Sequence, residues 1–363
     1  MINILYFSNQ KELNGGAPRS LYEILKNLDR KKIKPFFASI YDDELAYLIK
    51  QLDIKCIQVP RGYFLHPIFE FISIPKIVRF IIENKIKIIH NNQCSDAFYT
   101  WIPAKVTNTP FIIHHRDPSF YKSHSFLMKL AVKNIAISTW QNKHNLSNKA
   151  EVIHNGVDLN QFKLWTPSKS TIGFANDKLL IGLVGRITNQ KGHDIFIRAA
   201  SIVASARENV EFLIIGNDHD ETSIEYINQI KSLVHNLNLY KYVHFIGYYK
   251  HISEILPYLD ISVVPSRKEP FGRVIIESMA SEKPVIATNI WGALDIVTPN
   301  TGLLIPPEDP EQLAAAIIDL IDSPEKRARM GIEGRKRVEE LFTIEEMLNN
   351  IYNLYEKIKL KKI

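Results

Sequence analysis

A chain of 363 residues is long for one hydrophobic core and comfortable for two. Hydrophobic residues make up 45% and charged residues 23%, which excludes a disordered or low-complexity chain and fits a globular one. The net charge of +6 is unevenly divided, because residues 1–170 hold 23 Lys and Arg against 13 Asp and Glu and the remainder 22 against 26.

Residues 1–8 alternate as a strand, with no basic region followed by a cleavage site, so no signal peptide is expected. Apolar runs predict further strands at 35–40, 55–59, 87–90, 111–115, 134–138 and 151–154. Helical runs such as 19–28, 68–82 and 95–106 separate them. A polar stretch at 164–178, with Pro167, Ser168, Ser170 and Gly173, reads as a joint. Beyond it, strands are predicted at 179–184, 211–215, 243–246, 261–265, 284–287 and 302–305. Helices are predicted at 193–206, 224–237, 252–259 and 274–280, then at 310–320 and onward from 325. The last segment, 344–363, has apolar residues at helical spacing and is expected to pack back on the first domain. Strands alternating with helices imply parallel sheets covered on both faces. The expected fold is α/β, with two doubly wound, Rossmann-like domains facing a cleft: 1–168 plus 344–363, and 169–343. No run reaches the roughly 18 to 20 apolar residues of a spanning helix.

Open parallel sheets bind ligands beyond the carboxyl ends of their strands, and the motifs fall at such places. Gly15-Gly16 follows the first strand and precedes a helix, with Arg19 nearby. Glycine there lets backbone approach a phosphate or sugar, although an ordinary turn would carry the same pair. Neither the dinucleotide fingerprint nor a P-loop is present. His114-His115-Arg116-Asp117 closes an apolar strand. Adjacent strand residues point to opposite faces, so only one histidine can face a substrate. His154-Asn155-Gly156-Val157-Asp158 contains a turn-forming Asn-Gly. Gly185-Arg186 and Lys191-Gly192 place one cation at a strand end and another at a helix entry, suited to gripping a diphosphate jointly. Glu269-Pro270-Phe271-Gly272 turns from a strand into a helix carrying Glu277. Helix N–H groups there can hold an anion while the carboxylates accept sugar or ribose hydroxyls. Ser266, Trp291-Gly292-Ala293 and Asp295 lie on neighbouring loops. Asp218-His219-Asp220 has the form of a cation-binding pair, but it reads as an acidic loop and no metal site is expected.

Together, Gly15-Gly16-Ala17, residues 154–158, Gly185-Arg186 with Lys191-Gly192, and Glu269-Pro-Phe-Gly with Glu277 resemble the retaining glycosyltransferases of family 4, which have the GT-B fold. The resemblance spans essentially the whole chain, and the two glutamates eight positions apart are its specific element. It implies that Arg186 and Lys191 stabilise a departing diphosphate, that Glu277 holds the ribose, and that Glu269 holds the donor sugar. It also implies that His114 or His115 contacts the sugar near the reacting carbon; Gly16, Phe271 and Gly272 complete the candidate donor contacts. No cofactor or metal is implied beyond the nucleotide-diphosphate sugar itself. Two loops depart from the family pattern: Gly216-Asn217-Asp218 stands for Gly-Asp-Gly-Pro, and Trp291-Gly-Ala-Leu-Asp295 for Gly-Gly-x-Pro-Glu.

The leading expectation is a metal-independent sugar transferase acting on a glycan or lipid-linked acceptor in bacterial surface polysaccharide synthesis. Cys56 and Cys94 have no metal-ligand spacing, so a cytoplasmic setting is expected. The basic half, with runs such as 126–133, suits peripheral contact with an anionic membrane or simply a solvated face. No nucleic-acid module accompanies that charge. The competing readings are a sugar-nucleotide epimerase or a phosphorylase of the same fold, and a non-catalytic nucleotide-sugar-binding subunit.

Overall fold

A computed structural model of the chain describes residues 1–360 apart from 12, 14, 61–66, 118–124, 147–148 and 217–222. The described strands form two wholly parallel sheets. They belong to two compact units, Met1–Gly156 with Ile344–Ile363, and Val157–Thr343.

The first unit contains β1 (Ile2–Ser8), β2 (Ile33–Ser39), β3 (Lys55–Gln58), β4 (Ile88–Asn91), β5 (Phe111–His115), β6 (Lys133–Ala136) and β7 (Glu151–Val152). Their order is β3-β2-β1-β4-β5-β6-β7. Between them run α1 (Gly16–Asn27), α2 (Glu44–Lys50), α3 (Pro67–Glu83), α4 (Ala97–Val106), α5 (Ser125–Leu130) and α6 (Thr139–Asn145). Both faces of the sheet are covered, which is why β1 is apolar almost throughout and buries every residue but Asn3. On one face Ile4, Tyr6, Ile88 and Ile112 pack with Leu21, Ile24 and Leu45 from α1 and α2. On the other, Leu5, Phe7, Ile89 and Ile113 pack with Ile77, Phe80 and Ala97 from α3 and α4.

The C-terminal helix, Ile344–Leu360, completes the first of these faces. Its buried Ile344, Met347, Leu348, Ile351, Leu354 and Tyr355 recur at three- and four-residue intervals, one stripe of a helix. The expected return of the chain to its first unit is therefore what the structure has.

The second unit contains β8 (Leu179–Val184), β9 (Val210–Ile215), β10 (Val243–Gly247), β11 (Ile261–Val264), β12 (Val285–Thr288) and β13 (Gly302–Ile305), in the order β10-β9-β8-β11-β12-β13. Its helices are α7 (His193–Ala206), α8 (Ile224–Asn236), α9 (Arg273–Ala280), α10 (Ala293–Ile296), α11 (Pro310–Asp322) and α12 (Pro324–Leu341).

Three differences from the sequence reading have physical causes. The helix expected at 252–259 is two single 3₁₀ turns, Ile252–Glu254 and Leu256–Tyr258. Pro257 has no N–H to donate, and its ring would meet the carbonyl one turn earlier in a continuous helix. Helices α2, α5 and α6 were not expected; at 7, 6 and 7 residues they are too short to display a periodicity. Residues 157–168 fall with the second unit rather than the first. The Val157 N–H donates to the Phe342 carbonyl at 2.9 Å, and Arg335 Nη1 donates to the Phe162 carbonyl at 2.8 Å.

Candidate functional site

In each sheet one pair of neighbouring strands marks a reversal of strand order. Strand β1 pairs with both β2 and β4, and β8 pairs with both β9 and β11. Loops leaving the carboxyl ends of such a pair diverge to opposite sides and open a crevice. Gly15-Gly16 follows β1, while Gly185-Arg186 with Lys191-Gly192 and Glu269–Gly272 follow β8 and β11; His114 and His115 end the next strand, β5, and the Trp291 loop follows β12.

In the second unit the loop after β8 carries Arg186 and the single turn Asn189–Lys191. Gly192 follows with φ +71°, and a Cβ there would lie 2.1 Å from the Pro265 carbonyl oxygen. Only glycine allows this turn to rest against the end of β11. The contact puts Lys191 Nζ 2.7 Å from Glu269 Oε2, and Ser266 Oγ donates to the same oxygen at 3.1 Å. Glu269 is buried, so its charge is held by specific donors rather than by bulk water.

The two loops are tied along their length. The Arg267 N–H donates to the Gln190 carbonyl at 2.8 Å, Gln190 Nε2 to the Lys268 carbonyl at 3.0 Å, and Arg267 Nη1 to the Asn189 carbonyl at 2.8 Å. Arg267 also grips both oxygens of Asp194 at 2.8 Å and Glu308 at 2.7 Å. Burial alone would raise the Asp194 carboxyl, but the Arg267 fork and the Tyr226 hydroxyl bring it down to about 2. Nothing in the sequence singled out Arg267, because its partners are 73 and 41 positions away.

Glu277 lies in α9, is buried, and accepts from Arg273 Nη2 at 3.1 Å. Gly272 is the residue before α9 and has φ +108°, a conformation natural to glycine. Phe271 is buried edge-on against Phe342, with ring centres 6.1 Å apart. Arg337 stacks on Phe342 and donates to the Ile296 and Asp295 carbonyls at 2.7 and 2.9 Å. Phe271 thus serves in the packing that supports this loop. The Gly292 N–H donates to the Glu269 carbonyl at 3.1 Å, which draws the Trp291 loop onto the same place. Arg186 is exposed.

In the first unit Gly16 opens α1, and Gly15 stands before it in extended conformation. The two histidines separate, as alternation along β5 requires. His115 Nε2 lies 2.8 Å from Asn134 Oδ1, and Asn134 in turn donates to the Met128 carbonyl in α5. His114 lies on the other face, with its ring stacked against that of His90. Arg116 Nη2 is 3.2 Å from His114 Nδ1. The same guanidinium donates from Nε to Asn92 Oδ1 at 2.7 Å and from Nη1 to Ser20 Oγ and Asn155 Oδ1 at 2.8 and 2.7 Å. Asn92 Nδ2 reaches the Ala17 carbonyl at 3.2 Å. Three sequence motifs, the Gly15-Gly16-Ala17 turn, His114 and Asn155, therefore meet around Arg116. Asp158 caps the turn Leu159–Gln161 by accepting from the Asn160 N–H, a structural role.

Asp218 and Asp220 lie outside the described residues. Among the described residues no group of three His, Cys, Asp or Glu is placed to hold a metal ion.

The chain matches two adjoining families, Glycosyltransferase Family 4 over residues 14–161 and Glycosyl transferases group 1 over residues 167–337. It is 34% identical over 212 residues to the capsular polysaccharide biosynthesis glycosyltransferase CapM of Staphylococcus aureus, covering 56% of this chain and 54% of that one. It is 30% identical over 220 residues to a GDP-mannose-dependent monoacylated alpha-(1-6)-phosphatidylinositol monomannoside mannosyltransferase of Corynebacterium glutamicum, covering 57% and 56%. The matches thus span about half the length of these curated relatives. Among solved structures, a glycosyltransferase of Rickettsia africae superposes with TM-score 0.88 at 25% identity, covering 100% of this chain and 99% of that one. Anabaena HepE in complex with UDP and glucose superposes with TM-score 0.86 at 21% identity, covering 98% and 100%. The fold of this chain is that of the GT-B glycosyltransferases.

The buried histidines set a pH response. Burial, reinforced by Arg116, lowers His90 to about 3, and burial lowers His115 to about 4 despite the bond to Asn134. An unfolded histidine titrates near 6.5, so on acidification the unfolded chain takes up protons first. The stability these two groups provide is complete above about pH 6.5, and each loses about 1 kcal/mol per pH unit below it, down to about pH 4. Urea midpoints should therefore be lower at pH 5.5 than at pH 7.5, and equal midpoints would show that these rings do not stay neutral in the folded state.

Proposed function

The chain belongs to the family 4 glycosyltransferases, and from that premise we propose that it transfers a sugar, with retention, from a nucleotide-diphosphate sugar to a glycan or lipid-linked acceptor. The observation that carries this reading is the Lys191–Glu269 pair beyond β8 and β11. A cation for the leaving diphosphate and a carboxylate for the sugar hydroxyls stand side by side at the strand-order reversal where α/β sheets take their ligands. UDP in complexes of the similarly folded HepE supports a nucleotide-sugar donor.

Breaking the bond between sugar and phosphate builds negative charge on the diphosphate and positive charge on the sugar ring. Lys191, held in place by Glu269, and the N–H groups opening α9 are oriented before the reaction begins and, with Arg186, offset the first charge. Glu269 and Glu277 accept from the sugar and ribose hydroxyls respectively and fix the donor's register. His114 is the histidine assigned to the donor, because it shares the Arg116 cluster with the Gly15-Gly16-Ala17 turn. In front-face transfer the departing phosphate oxygen takes the acceptor's proton, and the diphosphate's charge is met by Lys191, Arg186 and the helix N–H groups in place of a metal.

On the acceptor side, exposed Phe126, Leu130 and Val132 alternate with Lys129 and Lys133 on the more basic unit. Such a face suits peripheral contact with an anionic lipid surface. The polysaccharide and glycolipid activities named for the similar proteins point the same way. Free Cys56 and Cys94 are in keeping with a reducing, cytoplasmic compartment.

Glu269→Ala should lower kcat/KM by about 100-fold or more while the circular dichroism spectrum stays that of the parent, and unchanged turnover would remove Glu269 from the site. The pair of substitutions Arg186→Ala and Lys191→Ala should weaken nucleoside diphosphate binding by about tenfold or more in calorimetry; equal affinity contradicts the phosphate role. Turnover should persist in excess chelator, whereas a loss restored by added divalent cation would assign a metal to the reaction.

A further inference from the structure

The polar cluster around Arg116 fixes where the protons of its histidines sit. A guanidinium has N–H donors and no acceptor. Its Nη2, 3.2 Å from His114 Nδ1, therefore faces a lone pair on that nitrogen. A neutral imidazole with a lone pair on Nδ1 carries its proton on Nε2. His90 approaches the same atom, with its Nε2 3.3 Å from His114 Nδ1. Since His114 Nδ1 accepts, His90 Nε2 must donate, and His90 Nδ1 is then the acceptor for the Tyr355 hydroxyl at 2.6 Å. Tyr355, on the C-terminal helix, has one hydroxyl proton; with that proton in the bond to His90, the Tyr6 hydroxyl 3.0 Å away is the donor to Tyr355. The protons run in one sense from the C-terminal helix to the end of β5.

His114 Nε2 stands at the end of this series. It is buried and has no hydrogen-bond partner among the described residues. A buried N–H with no acceptor is costly, and a ligand oxygen at that position removes the cost. Burial and the adjacent Arg116 charge both hold the ring's pKa well below the ordinary histidine value.

We propose that Arg116 is a positioning residue which, together with His90, locks His114 in its neutral Nε2–H form, so that a fixed N–H donor meets an oxygen of the bound sugar donor. The functional half of this statement rests on the reading of His114 as donor-facing; the lock does not. Arg116 holds the neighbouring backbone as well, through Asn92 to the Ala17 carbonyl and through Ser20 to α1. One guanidinium thus sets both the protonation pattern of the ring and its distance from the glycine turn.

The test uses the full chain labelled with ¹⁵N-histidine, with His114 assigned by the signals lost in His114→Gln. Long-range proton–nitrogen correlations at neutral pH should place the His114 proton on Nε2; a proton on Nδ1 overturns the lock. Arg116→Met should give a mixture of tautomers and a kcat lowered by about tenfold, the loss of one hydrogen bond, with a smaller change in donor KM. Arg116→Lys, which restores a donor, should recover the single tautomer and part of the turnover. A folded Arg116→Met protein with an unaltered His114 spectrum overturns the positioning role. Full turnover in His114→Gln alongside an Nε2–H signal in the parent overturns only the donor-facing role, and so separates the two readings.

Discussion

A parallel sheet that grows outward from a central strand and then restarts on that strand's other side must leave two loops diverging from one edge. Both sheets of this protein are built that way, at β1–β4 and at β8–β11. In the second unit the consequence is direct. The turn after β8 and the turn after β11 are neighbours because their strands are hydrogen-bonded, and Gly192 removes the Cβ that would hold them apart. Lys191 and Glu269, 78 positions apart in the chain, then come within 2.7 Å. The pair is mostly buried, so the cost of desolvating both charges offsets much of their attraction and its net contribution to stability is small. Its importance is positional, since it stations opposite charges side by side at the strand-order reversal where α/β sheets take their ligands.

The two units manage their polar groups differently. In the second, charged side chains such as Arg267, Asp194 and Glu308 bridge loops at a half-exposed rim. They fix backbone that carries the candidate site without being buried themselves. In the first, the polar groups are internal: His90, Asn91, Asn92, His114 and Ser20 are all fully buried. Buried polar groups must be satisfied, and a satisfied network specifies a single geometry. That requirement links the C-terminal helix, through Tyr355, to the end of β5 and onward to the turn that opens α1. Placing the C-terminal helix on this unit therefore supplies a hydroxyl to the histidine series as well as an apolar stripe to the core.

The residue sequence by itself determined the class of fold, because apolar strands alternating with amphipathic helices admit little besides covered parallel sheets. It also showed Lys191, Glu269 and Glu277, whose spacing is local to two strand-to-helix turns, and the stripe from Ile344 to Tyr355. What it left open depended on partners distant in the chain. Arg116 was visible only as a neighbour of two histidines; its role depends on Ser20, Asn92 and Asn155, which come from three separate elements. Arg267 gave no signal for the same reason, and the packing of Phe271 against Phe342 is likewise set by a residue distant in the chain. Tertiary structure alone decided which face of β5 each histidine occupies and which nitrogen of His114 has no partner among the described residues. The physical reason is that periodicity and turn chemistry act over a few residues, whereas hydrogen-bond satisfaction inside a core is settled only when remote segments are brought together.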